Sequence, residues 1–332
     1  MKRLEIGAPA SLDSLRCVDR EPPRPGPGEV LVRIRASSLN FHDYLVATGV
    51  LPAAEGRVLL SDGAGEVVEL GEGASEFKVG DRVIGTYFPD WIDGPPTGCR
   101  TARMRGDHVD GFACTYVALP ETDFTLAPKG LSLEEAATLP CAGLTAWRAL
   151  VVEGAIKPGD RVLVQGSGGV SSFAIQFAKL AGATVIATTS SEAKADRLRA
   201  LGADHVVDYL ALPKWSSRVR DLSDGGVEHV VEVAGGDLSQ SLQAMRTGGF
   251  LYMVGALSRQ PVQFPSLLAI KGNVRIVALT VGSRRHQQDM VRAVESSKLI
   301  PAMNRVFPLA ELRAAFDCLT SRNHIGKIGI AI

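Results

Sequence analysis

Alternating apolar and polar positions in the first third of the chain predict short β-strands. Runs rich in β-branched residues, each bounded by Gly, Pro or Asp, lie at 29–37, 63–71, 80–88 and 111–120. The alternation is incomplete in each run, which is typical of a partly open barrel built from several short strands. The segment 91–111 has no clear periodicity and is predicted to be a long surface loop.

The pattern changes after the turn signal KPGD at 157–160, where strands and helices alternate. Crossover connections of this kind predict an α/β domain with a doubly wound parallel sheet of six strands, covered on both faces. The predicted strands are 161–165, 184–188, 205–207, 229–233, 250–254 and 274–280, and the predicted helices are 170–181, 191–200, 238–245 and roughly 266–271.

The remaining segments predict how the chain divides into domains. Ser132 and Glu135 form a capping box that opens a helix, which Pro140 should kink or divide. The tail has two amphipathic helices, 287–299 and 309–319, and a final strand at 326–332 with no partner nearby in sequence. We expect that strand to complete the N-terminal barrel. The predicted domains are therefore 1–126 with 284–332, a discontinuous β-barrel domain, and 127–283, an α/β domain with the parallel sheet.

Composition narrows the class of protein. The 332 residues include 36 basic and 36 acidic side chains, and this balance gives no support for a nucleic-acid partner. No stretch approaches the length of apolar residues that a membrane span needs, and no signal peptide is evident at the start. Five scattered cysteines, an odd number, indicate reduced thiols and a cytoplasmic location.

A glycine-rich turn follows the predicted strand 161–165 and opens a helix. Its residues Gly166, Ser167, Gly168, Gly169 and Val170 match a dinucleotide-binding loop, in which backbone N–H groups approach a phosphate at a helix N-terminus. The last glycine of the G-x-G-x-x-G pattern is Ser171, which is still small enough for close helix–strand packing. The alternative is a tight strand–helix connection without a ligand.

The end of the next strand bears on the choice of cofactor. An NAD site usually has Asp or Glu at this point, whereas this chain has Thr189 and Ser190, followed by Lys194. Hydroxyl groups and a cation suit the 2′-phosphate of NADP(H). The alternative is an ordinary Ser-capped helix with surface charges.

Several motifs together resemble the medium-chain dehydrogenase/reductase superfamily, in its zinc-independent, quinone-oxidoreductase-like and alcohol dehydrogenase-like branch. The resemblance covers essentially the whole chain. It implies that the discontinuous domain 1–126 with 284–332 is a GroES-like catalytic domain and that 127–283 is a Rossmann dinucleotide-binding domain. The motifs are NFHD near residue 40, SDGAGEVVELG (61–71), VGDRV (79–83), EEAATLPCAGLTAW (134–147), the glycine-rich segment 162–188, LGADHVVDY (201–209) and NHIGKIGI (323–330).

The resemblance implies further roles for individual residues. It places Lys194 and Tyr209 near the 2′-phosphate and Thr145 near the nicotinamide. The backbone at Val254 and Gly255, and from Leu279 to Val281, would line the nicotinamide pocket. For Thr145 and Tyr209 the alternative is routine packing and hydrogen bonding. Relatives pair through the strand that corresponds to 274–280, which implies a homodimer.

Zinc-dependent members of the superfamily bind a catalytic metal at three positions. In this chain those positions hold Asn40, Ser61 followed by Asp62, and Cys141, and one thiol does not make a zinc site. The loop near 90–112 has only Cys99, so no structural zinc is expected either. We therefore predict no metal, although His42, Asp43, Asp62 and Cys141 could assemble an unusual site.

Without a metal, the substrate should be a hydride acceptor that needs little help from the protein to stabilise the negative charge formed on reduction. The sequence predicts an NADPH-dependent oxidoreductase acting on a quinone or an α,β-unsaturated carbonyl. Its candidate catalytic residues are His42 as proton donor, with Asn40 and Asp62. Two alternatives stay open: an NADP-dependent alcohol or carbonyl dehydrogenase that uses His42 as a proton relay, and an NADPH-binding protein with little turnover. His42 could also hydrogen-bond the cofactor without transferring a proton.

Overall fold

The computed structural model describes residues 1–255, 257–258 and 260–332. The chain forms two compact units, one from Met1–Leu144 with Val281–Ile332 and one from Thr145–Thr280. The strands of the described residues are β1 Lys2–Glu5, β2 Arg16–Asp19, β3 Glu29–Ser38, β4 Ala64–Leu70, β5 Arg82–Gly85, β6 Tyr116–Pro120, β7 Phe124–Leu126, β8 Arg161–Gln165, β9 Thr184–Thr189, β10 His205–Asp208, β11 Val227–Glu232, β12 Met245–Met253, β13 Arg275–Ala278, β14 Met303–Pro308 and β15 Lys327–Ala331.

Helices connect and cover these strands. The α-helices of the described residues are α1 Phe41–Ala47, α2 Leu133–Ala136, α3 Leu144–Trp147, α4 Gly169–Leu180, α5 Glu192–Ala200, α6 Trp215–Leu222, α7 Ser239–Ala244, α8 Ser266–Gly272, α9 Arg284–Ser297 and α10 Leu312–Thr320. Leu139–Gly143 and Arg148–Glu153 are π-helical, and Leu12–Ser14, Glu121–Asp123 and Leu309–Glu311 are 3₁₀ turns.

The first unit is built on a seven-stranded sheet in the order β14-β15-β3-β4-β5-β7, with β6 also paired to β3. Val30, Val32 and Ile34 of β3 are fully buried and pack with Phe112 and Phe124. All the predicted barrel strands are present, with somewhat different ends. The antiparallel β1–β2 pair, β7 and β14 were not predicted.

The last strand joins the sheet of the first unit, as expected. β15 runs antiparallel to β3, with Gly329 opposite Ser38 and Ala331 opposite Ala36. A strand from the end of the chain therefore lies beside residues 36–38, immediately before Asn40. This pairing brings the C-terminal segment to the candidate catalytic residues.

The helix that follows Ser132 is divided at Pro140. The Ser132 side chain accepts a hydrogen bond from Glu135 N, which confirms the capping box. The helix is interrupted after Ala136, and Pro140 lies at the start of the π-helical segment. The segment 127–144 belongs to the first unit, because the Ala137 carbonyl accepts a hydrogen bond from Ser38 and Cys141 N donates one to Asp62.

The second unit has a parallel six-stranded sheet in the order β10-β9-β8-β11-β12-β13. This is the doubly wound Rossmann arrangement, and it confirms the predicted fold class. The strand order reverses between β8 and β11, so the carboxyl ends of these strands form the switch point at which such sheets bind ligands. α6 was not predicted, although Trp215, Val219 and Leu222 have helical spacing.

Within the part of the chain that the structure describes, no helix combines the length and apolarity needed to cross a bilayer. All five cysteines are free thiols.

Candidate active site

A buried polar cluster surrounds Asn40 in the first unit. Asn40 precedes α1 with an extended backbone, and Asp43 in the first turn accepts hydrogen bonds from the backbone N–H groups of Asn40 (2.8 Å) and Ser61 (2.9 Å). These bonds tie the start of α1 to the segment before β4. Burial, together with the charge of Asp62, raises the pKa of Asp43 to about 6. Asp43 therefore holds the site together rather than facing solvent, as expected for a structural carboxylate.

Asp62 is at the centre of this cluster, with a side chain that is fully buried. Its Oδ1 accepts a hydrogen bond from Cys141 N at 3.0 Å. Its Oδ2 accepts bonds from Ser38 Oγ at 2.5 Å and from Asn40 Nδ2 at 2.9 Å. Both carboxylate oxygens are thus used inside the protein.

Lys327, which sequence reasoning did not select, completes the cluster. Its side chain is 2% exposed, and its Nζ donates to Asn40 Oδ1 at 2.5 Å, to Leu39 O at 2.7 Å and to Asp62 Oδ2 at 3.2 Å. Asn40 is consequently held on both sides, since its Nδ2 also contacts Ser61 Oγ at 3.1 Å. The catalytic roles of Asn40 and Asp62 stay predictions; in this structure both side chains position their neighbours.

His42 lies beside a second buried carboxylate that the sequence did not indicate. Its Nε2 is 3.7 Å from Asp107 Oδ2, and within the described ranges it has no hydrogen-bond partner. The imidazole is 15% exposed and meets Tyr87 edge-on, with ring centroids 5.6 Å apart. Burial lowers the pKa of His42; Asp107 opposes this shift and His108 adds to it.

Asp107 joins two histidines in this part of the site. The carboxylate is 5% exposed and contacts His108 Nδ1 as well as approaching His42. It lies in the 91–111 segment, which contains no helix or strand among the described residues, as predicted. A carboxylate beside an imidazole can orient the ring and stabilise its protonated form, so the arrangement can hold and deliver a proton.

The residues at the three zinc positions do not fit a catalytic zinc ion. Zinc takes thiolate, imidazole or carboxylate ligands. Asn40 presents an NH₂ donor to Ser61 and Asp62, and its carbonyl oxygen already accepts from the Lys327 ammonium. Burial raises the pKa of the Cys141 thiol well above its usual value, which disfavours the thiolate that a metal requires. Across the described residues, no group of three or more His, Cys, Asp or Glu side chains could hold a metal.

The glycine-rich loop of the second unit has the geometry of a phosphate-binding turn. Gly166 has φ +72°, and Gly168 is the extended residue immediately before α4, which begins at Gly169. Ser171 is 2% exposed and donates its hydroxyl to Gln165 O at 2.7 Å, so it fits the close packing expected at this position. The predicted residues Gly166, Ser167, Gly168, Gly169 and Val170 together form the turn and first residues of a twelve-residue helix. Such a helix start favours anionic groups.

The ends of β9 and β10 bring the predicted 2′-phosphate residues together. Thr189 is opposite Asp208 in the sheet, and its carbonyl accepts from Tyr209 N at 3.0 Å. Ser190 follows the strand, and Ser191 accepts a hydrogen bond from Lys194 N at the start of α5. Partial burial lowers the pKa of Lys194. Asp208 uses its carboxylate to accept from Leu210 N and Ala211 N, so it caps a turn.

The remaining predicted cofactor residues lie at strand ends and in buried positions. Val254 N donates to Glu232 O, and a Cβ on Gly255 would come within 2.6 Å of Val233 O, so only glycine fits this close approach. Leu279 N donates to Met253 O, and Thr145 is 4% exposed. Val281, in the first unit, has φ +41°. Their roles toward a nicotinamide stay predictions.

Comparison with known proteins identifies the family. The family model for the alcohol dehydrogenase GroES-like domain matches residues 26–129, and the model for zinc-binding dehydrogenases matches residues 169–296. A zinc-type alcohol dehydrogenase-like protein of Schizosaccharomyces pombe is 39% identical over 97% of this chain and 96% of its own length. The chain belongs to the medium-chain dehydrogenase/reductase superfamily. Within that superfamily it is an alcohol dehydrogenase-like oxidoreductase, which confirms the predicted resemblance and the GroES-like domain.

Two solved structures differ in the cofactor that their descriptions give. An NAD-dependent alcohol dehydrogenase is 34% identical with a TM-score of 0.90, and the match covers 100% of both chains. The 2-octenoyl-CoA carboxylase reductase CinF, in complex with NADP and 2-octenoyl-CoA, is 28% identical with a TM-score of 0.89, covering 99% of this chain and 87% of that one. The superfamily therefore establishes a nicotinamide cofactor and leaves the choice of cofactor to local residues.

Proposed function

We propose that the protein is a zinc-independent, NADPH-dependent oxidoreductase that reduces a quinone or an α,β-unsaturated carbonyl. The observation that supports this most strongly is the cluster at the zinc positions, where Asn40 and Ser61 stand at two of the three ligand positions and the Asn40 side chain accepts from the buried ammonium of Lys327. A site of this composition has no Lewis acid to stabilise an alkoxide. The bound cofactor supplies the hydride.

The acceptor must therefore spread or neutralise the charge that develops on reduction. An α,β-unsaturated carbonyl distributes this charge through an enolate, and a quinone becomes an aromatic hydroquinone. Both need less stabilisation from the protein than an isolated ketone does. The superfamily member bound to NADP and 2-octenoyl-CoA shows that this fold accommodates a conjugated acyl group in at least one case.

Oxidation of NADPH with three acceptors tests this proposal. We expect turnover with 1,4-benzoquinone or a simple enone, with no loss of rate after dialysis against a chelator. Turnover with an aldehyde alone would favour the carbonyl dehydrogenase. An absence of turnover with all three, despite NADPH binding, would favour the binding protein. A rate that depends on stoichiometric zinc would overturn the proposal.

A carbonyl or alcohol dehydrogenase is the second candidate, and the His42–Asp107 pair favours it. A simple carbonyl requires a proton at its oxygen as hydride arrives, and an imidazole supported by a carboxylate can deliver one. In this site the His42 side chain is 15% exposed, more than the 5% of Asp107. The order along a relay would therefore be Asp107, His42 and then the substrate oxygen.

We propose NADPH rather than NADH because of the residues after β9. Lys194 and the nearby hydroxyl groups can contact a 2′-phosphate, and the one carboxylate in the adjacent turn, Asp208, is used by backbone N–H groups.

Changing Lys194 to Ala should weaken NADPH binding by about tenfold or more and leave NADH binding nearly unchanged. The basis is that a hydrogen bond to a charged group contributes about 1.5–3 kcal/mol. Fluorescence titration with both nucleotides measures this difference.

Arg199→Ala is the matched control for Lys194. Arg199 lies on the same helix and pairs with Asp196 and Glu192, so its loss should not alter either affinity. If the unaltered protein binds NADH more tightly than NADPH, the assignment of the cofactor is wrong.

We also propose a homodimer that forms through β13, the end strand of the six-stranded sheet. On the adjacent α8, Leu267 is 64% exposed and Ile270 is 66% exposed, so an edge strand lies near an apolar helix face.

Ile270→Asp should convert the dimer to a monomer in analytical ultracentrifugation, because it would bury a charge in the interface. Val79→Asp, at a comparably exposed valine of the first unit, should not change the sedimentation of the protein. A monomeric unaltered protein would contradict this assignment.

A cytoplasmic location completes the proposal. The five free thiols support it, because cysteines that stay reduced are typical of a reducing compartment. Fractionation of cells that produce the full-length chain would test it, and recovery in a secreted fraction would contradict it.

A further inference from the structure

A buried carboxylate lies at the switch point of the six-stranded sheet. Glu232 is the last residue of β11 and is 2% exposed. Gln165 is the last residue of the neighbouring β8, on the other side of the reversal in strand order. Among the described residues, the hydrogen-bond donors to Glu232 are two backbone N–H groups and one hydroxyl, all of them neutral. A charge is costly to bury in this way, so the position demands a carboxylate for a particular purpose.

One oxygen of Glu232 fixes the turn that follows its own strand. Its Oε1 accepts hydrogen bonds from Ala234 N at 2.9 Å and from Gly235 N at 3.3 Å. Gly235 and Gly236 have φ values of +71° and +76°, in the left-handed region that favours glycine. Two successive glycines give the turn 233–236 little rigidity of its own, and the carboxylate supplies it.

The second oxygen of Glu232 connects this turn to the glycine-rich loop. Its Oε2 accepts from Ser241 Oγ at 2.7 Å, and Ser241 Oγ accepts from Gln165 Nε2 at 2.7 Å. Gln165 directly precedes Gly166, the first residue of the loop. The donors run in one direction, from Gln165 through Ser241 to Glu232, so this chain must end on an acceptor. It joins the two strand ends on either side of the switch point.

The place of the turn in the sheet indicates which half of the cofactor it faces. The proposed contacts to the 2′-phosphate follow β9, and the glycine-rich loop that suits the bridging phosphates follows β8. Because a dinucleotide crosses the switch point, its second nucleotide must extend over the carboxyl ends of β11 and β12. The turn 233–236 lies at the end of β11, and Ala234 O accepts from Ser258 N at 2.8 Å in the segment after β12.

We propose that Glu232 is a positioning residue for the nicotinamide half of NADPH. Its carboxylate holds the turn 233–236 against that half of the cofactor, and through Ser241 and Gln165 it keeps the turn in register with the glycine-rich loop. The proposal rests on the NADPH-dependent function proposed above. Its consequence is selective: loss of Glu232 weakens the binding of the whole cofactor and spares the binding of the adenosine half.

Calorimetric titrations with NADPH and with adenosine 2′,5′-bisphosphate, the adenosine half alone, test this inference. Glu232→Ala leaves two N–H groups of the turn without their acceptor, so it should weaken NADPH binding on the order of tenfold or more and change bisphosphate binding by less than about twofold. Glu232→Gln still offers one carbonyl oxygen to both N–H groups and should bind NADPH within about threefold of the unaltered protein. Ser241→Ala breaks only the connection to Gln165 and should weaken NADPH binding alone, by about three- to tenfold.

Asp160→Ala is the matched control. Asp160 is a carboxylate of the same unit that is 4% exposed, and it accepts hydrogen bonds from Lys157 at the opposite, amino end of β8. Its loss should lower the melting temperature without changing the ratio of the two affinities. A change of this ratio as large as that in Glu232→Ala would mean that any loss of stability weakens NADPH binding, and the inference would be wrong.

The outcomes separate the inference from the proposed function. If Glu232→Ala weakens the binding of both ligands equally, or of neither, the role of Glu232 is overturned and the NADPH-dependent function stays intact. If Glu232→Gln binds NADPH as weakly as Glu232→Ala, the charge rather than the held turn is responsible, and the inference also fails. An unaltered protein that binds no NADPH would overturn both. If circular dichroism shows that Glu232→Ala is unfolded, Ser241→Ala decides: a loss confined to NADPH supports the inference, and any other result contradicts it.

Discussion

Lys327→Met should lower the free energy of unfolding of the first unit by about 3–5 kcal/mol, the usual cost of removing one partner from a buried ion pair. The substitution removes the charge and all three side-chain hydrogen bonds of Lys327, and it leaves the Asp62 carboxylate buried without a cation. Urea unfolding can be followed by the fluorescence of Trp91, which is fully buried in this unit, after Trp147 and Trp215 of the other unit are changed to Phe.

Two further variants show whether the loss comes from the charge. Lys129 pairs with Glu295 in the same unit at 3.8 Å and is 89% exposed, so Lys129→Met should cost less than about 1 kcal/mol. Adding Asp62→Asn to Lys327→Met should recover part of the stability, because it removes the unpaired charge. A loss for Lys327→Met no larger than that for Lys129→Met would mean that the pair does not stabilise the folded protein.

Much of the fold could be predicted because its determinants are local. β8 has the bounds that the apolar run at 161–165 indicated, and α4 begins within one residue of its predicted start. The strand-and-helix alternation that follows leaves few topologies open, since crossovers between parallel strands have one hand. α6 was missed although its apolar residues have helical spacing, because its polar residues dominate the segment.

The active-site cluster could be predicted only in part because its contacts are distant in sequence. Asn40 and Lys327 are 287 positions apart, and Asp62 and Lys327 are 265 positions apart. A lysine at the start of a terminal strand ordinarily indicates a solvated edge, so nothing local marked it as buried. The resemblance to zinc enzymes identified the positions that lack metal ligands, but it did not show which side chains contact the residues at those positions. Asp107 was missed for a related reason, because its segment has no periodicity that predicts where a side chain points.

The largest expected effect on catalysis is at His42. If His42 donates the proton, His42→Asn should lower kcat for reduction by about 10²–10⁴-fold with little change in KM, since general acid catalysis contributes in that range. Burial lowers the pKa of His42, so the protonated imidazole is abundant only at acidic pH. The kcat for reduction should therefore increase as the pH falls toward a plateau below about 6.5, the usual pKa of histidine, and this pH dependence should be absent from His42→Asn.

Substitutions of Asp107 and His108 test the same mechanism, because they should shift the pH profile of kcat in opposite directions. Asp107 raises the pKa of His42 and His108 lowers it. Asp107→Asn should therefore move the decline in kcat to lower pH, whereas His108→Asn should move it to higher pH. A role for Asp107 in folding alone would reduce stability without moving the profile. If His42→Asn reduces the aldehyde poorly and the quinone normally, then His42 serves the carbonyl reaction only. An unchanged kcat and pH profile with every acceptor would exclude His42 as the donor and leave it as a hydrogen-bonding group.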